Sequence, residues 1–258
     1  MIWNVSPEIL SLGPLTLRWY GILFATGFVL CYVYLRRVFA KEKKPIEGLD
    51  ELLIYVVIGT IAGARLGHCL FYEPMRYLEN PIEILFVWNG GLASHGGAIG
   101  ILTSIYLFSR KRKKFPFLWS TDRVCITVPM AGACVRLGNL MNSEILGRPT
   151  DGPWGVIFQR VDSIPRHPAQ LYESICYVFI FIVLHFYYRA RGVKTAPGSI
   201  LGLMLILIFA SRFFVEFIKE NQVGFESDLP LNMGQILSIP AVALGVWIFM
   251  RSKRESVG

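Results

Sequence analysis

The chain has 258 residues, 53% of them hydrophobic and only 17% charged, with a mean hydropathy of +0.48. A soluble domain carries about 25% charged residues, so the composition excludes a disordered chain and argues against a soluble enzyme. Lys and Arg number 26 against 18 Asp and Glu, a formal charge of +8. In so apolar a chain that excess belongs to the cytoplasmic loops of a membrane protein rather than to a nucleic-acid surface.

A transmembrane helix takes roughly 20 mostly apolar residues. Seven stretches qualify, in chain order 15–35, 51–72, 92–109, 120–141, 168–188, 198–218 and 233–250. Runs such as Ile200–Phe209 do not alternate, which excludes a β-barrel. The expected fold is therefore all-α and polytopic, one integral-membrane domain over 1–258 with short arm and loop elements outside. The stretch 81–88 is too short to span and is placed at the interface, with Trp88 near the headgroups. Basic residues concentrate at 36–44, 110–114, 189–194 and 251–254, which hold 16 of the 26. These are every second loop plus the tail, so the N-terminus is expected outside and the C-terminus in the cytoplasm. The run Arg110–Lys114 reads as a topology anchor, not a nucleic-acid patch.

Met1-Ile2-Trp3-Asn4 lacks a basic n-region, so no cleaved signal peptide is expected. Cys31, Cys69, Cys125, Cys134 and Cys176 fall within spans without CxxC spacing, and read as packing residues rather than a metal site.

Polar groups within membrane spans are costly and mark function. On this topology most of them fall at the outer level. Arg18, Trp19 and Tyr20 open the first span, His95 the third and His167 the fifth. Arg136 and Asn139 close the fourth, and Arg212 and Glu216 the sixth. The outer loop 142–166 adds Glu144, Gly147 and Arg148. In the second span Gly59, Gly63 and Gly67 form a seam for close helix packing. Arg65, beside that seam, suits either a lipid phosphate or backbone carbonyls at a helix crossing. His95 precedes two glycines that admit a close neighbour, and a histidine moves protons at neutral pH. Arg136 and Asn139, three apart, share a helix face, as do Arg212 and Glu216, four apart, and Gln170 and Glu173. Arginine clamps phosphate bidentately and cannot be deprotonated. Together these groups would bind an anion at the outer leaflet and move a proton, and the natural anion at that depth is a phospholipid phosphate.

Six segments carry a resemblance: Arg18-Trp19-Tyr20-Gly21, His95–Gly100, Arg136–Thr150, His167–Glu173, Arg212–Phe217 and Met233–Pro240. In this order the chain resembles the bacterial phosphatidylglycerol–prolipoprotein diacylglyceryl transferases. The resemblance implies transfer of a diacylglyceryl group from phosphatidylglycerol to the lipobox cysteine of a preprolipoprotein signal peptide. A thioether forms and glycerol phosphate leaves, in the bacterial inner membrane, with no metal or organic cofactor expected. On that reading His95 is the first candidate to take the thiol proton, and Arg136 and Arg212 bind the phosphodiester. Glu216 would orient Arg212, and Glu144 would orient Arg136 or Arg148. Tyr20 and Asn139 would hydrogen-bond the headgroup or the attacking cysteine's backbone, and Gly147 would give the outer loop its turn. Arg65 and His167 join the substrate-binding set. An alternative keeps His95 structural and lets an arginine-bound thiolate react. Ile208 and Leu140 depart from the tyrosine and phenylalanine common in the family.

Other classes fit less well. A transporter would hold its ionisable groups near the midplane in inverted repeats. Ser94 and His95 are adjacent and point about 100° apart on a helix, so they make no nucleophile–base dyad. A magnesium-dependent lipid phosphotransferase needs clustered aspartates, and Asp122 stands alone in the spans.

Overall fold

The computed structural model describes residues 1–13, 15–87, 90–220 and 231–255. Trp88, expected near the headgroups, lies outside the described residues. Among the described residues seven long helices dominate: α1 (Trp19–Lys41), α2 (Ile46–Phe71), α4 (Ser94–Lys111), α5 (Phe117–Asn142), α6 (Ala169–Arg191), α7 (Ser199–Val215) and α8 (Met233–Glu255). A short α3 (Pro74–Glu79) follows α2, and 3₁₀ turns cover Pro81–Leu85, Gly192–Lys194 and Glu216–Ile218. Among the described residues six helices are long and apolar enough to cross a membrane, namely α1, α2, α5, α6, α7 and α8. The chain is thus a multi-pass membrane protein. The remaining long helix, α4, has the length but is diluted by Ser94, His95, three glycines and a basic end at Arg110 and Lys111.

The first span does not begin at residue 15 as the apolar run suggests. Leu15–Arg18 is a strand, β3, paired antiparallel with β2 (Glu8–Leu12), and helix starts only at Trp19. Alternation around Thr16 and a turn at Gly13, with φ of 59°, favour the hairpin over another helical turn. The remaining strands form a small sheet: β1 (Ile2–Trp3) runs parallel to β4 (Val156–Phe158), which pairs antiparallel with β5 (Pro165–Arg166).

The chain divides into two compact units, Leu35–Thr121 and the combination of Met1–Tyr34 with Asp122–Gly258. Within Leu35–Thr121, α2 packs on α4 along the expected glycine seam. Gly59, Gly63 and Gly67 face Gly96, Gly100 and Ser104. A Cβ at Gly63 would strike the Gly96 carbonyl and come 2.8 Å from the Gly100 Cα, so the two backbones touch directly. At the other end of this unit Phe39, Phe108, Phe115 and Trp119 stack together. The Lys44 ammonium sits 4.9 Å from the Trp119 ring and donates to the Lys114 carbonyl at 2.9 Å.

In the other unit, Asp122 explains its own isolation. Its carboxylate accepts the Gly198 and Leu201 amides at 2.7 and 2.9 Å and so caps the N-terminus of α7. Helix α8 opens with a reciprocal capping box. The Asn232 Oδ1 accepts the Gln235 amide at 2.9 Å, and the Gln235 Oε1 accepts the Asn232 amide at 3.1 Å. Leu140, Leu146, Val156 and Phe158 form a buried cluster with Trp3 and Leu137 against it, which pins the loop 143–168 to the end of α5.

Candidate active site

Helix α5 delivers Arg136 and Asn139 on one face, and α6 delivers Glu173. Arg212 comes from α7, Glu216 from the 3₁₀ turn that extends it, and Lys219 is the extended residue just beyond. These side chains join into one network. The Arg136 Nε lies 2.9 Å from Glu173 Oε2, and the Lys219 Nζ lies 3.7 Å from the other oxygen of Glu173 and 2.9 Å from Glu216 Oε1. Glu216 Oε1 in turn is 3.5 Å from Arg212 Nε. The order Arg136–Glu173–Lys219–Glu216–Arg212 alternates in sign, with three cations and two carboxylates, a net +1. Lys219 sits in the middle with a side chain only 4% exposed, whereas Arg212 at one end is 35% exposed. Arg212 Nε makes no aligned hydrogen bond despite its ion-pair distance. That nitrogen is held to Glu216 by charge rather than by an aligned hydrogen bond.

Polar groups brace both ends. Asn232, the cap of α8, donates from Nδ2 to Glu216 Oε2 at 3.2 Å. Gly234 packs against the Glu216 carboxylate, where a Cβ would lie 2.5 Å from Oε1 and push that side chain aside. At the other end the Arg136 Nη1 donates to Asn139 Oδ1 at 3.2 Å, and Asn139 Nδ2 donates to Glu144 Oε1 at 2.6 Å. Asn142 adds a 3.3 Å bond to the same Glu144 oxygen. Glu144 thus reaches Arg136 through Asn139, while Glu173 pairs with Arg136 directly. The Tyr20 ring packs on Gly138, where a Cβ would come 2.8 Å from its Cδ2.

Gly147 sits where three segments meet. Its amide donates to the His167 carbonyl at 3.0 Å, the Arg148 amide to the Ile218 carbonyl at 2.8 Å, and the Glu220 amide to the Leu146 carbonyl at 3.1 Å. A Cβ at Gly147 would lie 2.5 Å from the His167 carbonyl oxygen, so the residue answers a close backbone approach. This lacing ties the loop to the segment just past α7, which carries Glu216 and Lys219. The Arg148 Nε donates to the Lys219 carbonyl at 3.1 Å, so Arg148 braces the backbone rather than pairing with Glu144. Arg166 completes the brace with ion pairs to Asp162 at 2.6 Å and Glu220 at 3.0 Å. The hydrogen bond from Arg166 holds the Asp162 carboxyl below its ordinary range, and the same bond raises the Arg166 guanidinium.

The structure gathers Tyr20, Arg136, Asn139, Glu144, Gly147, Arg212 and Glu216 into this assembly. The His167 backbone bonds Gly147, and its ring makes contacts of its own, with Nδ1 3.4 Å from both Trp154 Nε1 and the Tyr172 hydroxyl. Arg65 and His95 belong to the Leu35–Thr121 unit. Of the two readings of Arg65, carbonyl binding is what the geometry displays. It is buried and donates to the carbonyls of Ile84 at 3.0 Å, Gly90 at 2.6 Å, Gly91 at 3.4 Å and Glu83 at 2.5 Å. It thereby straps the segment after α2 to that helix. His95 is exposed at the start of α4, its ring against Phe71 at 5.3 Å and Tyr72 at 6.0 Å.

Sequence reasoning missed Lys219 and Asn232 and left Glu173 without its arginine. The signal for Lys219 was the continuation of the Arg212–Glu216 stripe by one more turn. The signal for Asn232 was Asn-x-x-Gln ahead of an apolar run.

The sequence matches the family described as Prolipoprotein diacylglyceryl transferase over residues 7–251. A phosphatidylglycerol–prolipoprotein diacylglyceryl transferase of Tolumonas auensis is 48% identical over 255 residues, covering 99% of this chain and 98% of its own. One so named from Chloroherpeton thalassium is 49% identical over 257 residues, covering 99% and 96%. Another from Bacteroides fragilis is 42% identical over 268 residues, again covering 99% and 96%. The chain belongs to the prolipoprotein diacylglyceryl transferase family.

Proposed function

We propose that the chain transfers the diacylglyceryl group of phosphatidylglycerol to the lipobox cysteine thiol of preprolipoproteins, the reaction for which its relatives are named. One observation carries the assignment of the site: a largely buried ion network ends in two arginines and holds one positive charge in excess. A phosphodiester carries one negative charge and complements that excess. In the reaction the cysteine sulfur attacks the glyceryl carbon, the carbon–oxygen bond breaks, and its electron pair goes to the phosphate oxygen. Negative charge therefore moves from sulfur to a departing phosphate monoester. Fixed guanidinium groups at the phosphate stabilise that charge as it develops.

In this reading Arg212, the most exposed member of the network, takes the phosphate together with Arg136. Glu216 and Glu173 orient the two arginines, and Lys219 holds the two carboxylates in place. Asn139 and Glu144 fix the Arg136 plane, and Tyr20 offers its hydroxyl to the headgroup or peptide. Gly147 keeps the loop close against the end of α7. His95 takes the thiol proton in this account, supported by its residue type and its exposed place ahead of Gly96 and Gly97. His167 and Arg65 serve as supports. The substrates are phosphatidylglycerol and a preprolipoprotein signal peptide, both met within the bilayer, and no nucleic acid or cofactor enters. Residues 1–258 act as one transferase domain.

We place the protein in the bacterial inner membrane with seven spans, counting α4. At about 1.5 Å per residue its 18 residues reach about 27 Å, close to the hydrocarbon thickness. The clusters of Lys and Arg put the C-terminus in the cytoplasm and the N-terminus outside. The test is purified protein with phosphatidylglycerol and a synthetic lipobox peptide. A peptide mass gain of one diacylglyceryl group, absent with a Cys→Ser peptide, supports the assignment. Intact peptide from folded protein refutes it.

A further inference from the structure

Helix α5 ends in a tight turn of unusual backbone. The Ser143 amide bonds the Leu140 carbonyl at 3.0 Å and the Glu144 amide bonds the Asn139 carbonyl at 3.1 Å. That is a Schellman arrangement, whose first residue past the helix is ordinarily glycine. Here it is Ser143, with φ of 55°. Two residues later Ile145 also lies at positive φ, 59°. A β-branched residue in the left-handed region is a true outlier and persists only where its surroundings enforce it. Leu146, next in line, is locked in the buried cluster with Phe158 and Val156. The turn folds Glu144 back over α5, where its carboxylate meets Asn139 and through it Arg136.

One side chain holds the peptide that sets this geometry. Gln170, fully buried in the first turn of α6, donates from Nε2 to the Glu144 backbone carbonyl at 2.6 Å. That carbonyl belongs to the Glu144–Ile145 peptide, whose orientation fixes the Ile145 φ. We infer that Gln170 is a positioning residue, whose bond to the Glu144 carbonyl keeps the strained 143–145 turn closed so that Glu144 and Asn139 hold the Arg136 guanidinium in its working plane. The inference rests on the proposed phosphate site for its catalytic consequence, but the clamp itself is a statement about the turn.

The test uses three variants of the full-length protein: Gln170→Met, which keeps length and removes the donor; Ile145→Gly, which accepts positive φ without cost; and the double variant. Two readouts are taken, amide hydrogen exchange across 143–147 and single-turnover diacylglyceryl transfer at saturating phosphatidylglycerol. In Gln170→Met the Glu144 amide should exchange faster by about 10-fold, and transfer should slow by about 10- to 100-fold through misplacement of the site. Ile145→Gly alone should transfer within about twofold of the parent, and in the double variant both readouts should recover most of the way, because the turn no longer needs enforcement. A merely structural glutamine gives the opposite, a double variant no better than Gln170→Met. That result overturns the inference, as does unchanged exchange at Glu144 in Gln170→Met. Should Gln170→Met fail to accumulate, the double variant must accumulate where it does not, or the clamp is refuted. If the parent protein transfers nothing while exchange responds as described, the proposed function fails and the clamp stands.

Discussion

Replacing Lys219 by methionine removes the central cation of the network without changing its volume much. The Nζ lies 2.9 Å from Glu216 and 3.7 Å from Glu173. At an effective dielectric near 20 these attractions amount to about 6 and about 4.5 kcal/mol. Taking an ammonium out of water offsets several kcal/mol of that, and the substitution leaves two buried carboxylates facing each other. The net loss expected for breaking such a buried arrangement is about 3–5 kcal/mol, or roughly 10 °C in the apparent thermal midpoint. Lys219→Arg keeps the charge and should lose clearly less. The comparison is made by thermal unfolding in detergent and by single-turnover transfer for the parent, Lys219→Met and Lys219→Arg. A Lys219→Met protein with the parent's midpoint and rate would show that the carboxylates do not depend on this lysine, and the alternating network would lose its meaning.

Asp122→Ala removes the cap of α7 and leaves the buried Gly198 amide without its acceptor; a stability loss of about 1–3 kcal/mol is expected, with transfer per folded molecule unchanged. Gly63→Val forces a branched side chain into the Gly96 carbonyl across the α2–α4 seam, and should lower the thermal midpoint sharply, where Gly132→Ala meets only the edge of the Tyr177 ring and should be milder. The Asp162 carboxyl titrates below its unfolded value, so its pair with Arg166 contributes fully at neutral pH and is lost as pH falls from about 4 through the lowered value. Asp162→Asn should therefore flatten the acid side of the pH–midpoint curve without moving the neutral-to-basic side.

Helices and charge stripes were legible because each is a local pattern. Apolar runs announced every long helix, and the pairs Arg136–Asn139 and Arg212–Glu216 followed from helical spacing. The start of the first span was misplaced because Leu15 and Leu17 are as apolar as the helix they precede, and only pairing with Glu8–Leu12 makes them a strand. Strands of two or three residues at Ile2–Trp3, Val156–Phe158 and Pro165–Arg166 are too short to leave a period. Glycines that let α2 and α4 touch also diluted the hydropathy of α4. Partnerships across the chain could not be read: Glu173 lies 37 positions from Arg136 and Asp122 lies 76 from Gly198, and only packing joins them. Arg65 looked equally fit for phosphate and for carbonyls, since its residue type serves both, and the carbonyls around it come from a segment that sequence left irregular.

The central claim is that the arginine-ended network holds the phosphate of phosphatidylglycerol during transfer. Its most direct test is the single-turnover rate of mass gain on a lipobox peptide at saturating phosphatidylglycerol, compared for the parent and Arg212→Ala. Loss of a fixed donor at the developing charge should slow the step by about 100- to 1,000-fold in protein that remains folded. A rate within about twofold of the parent would contradict the claim, because an arginine that binds the reacting phosphate cannot be removed without cost.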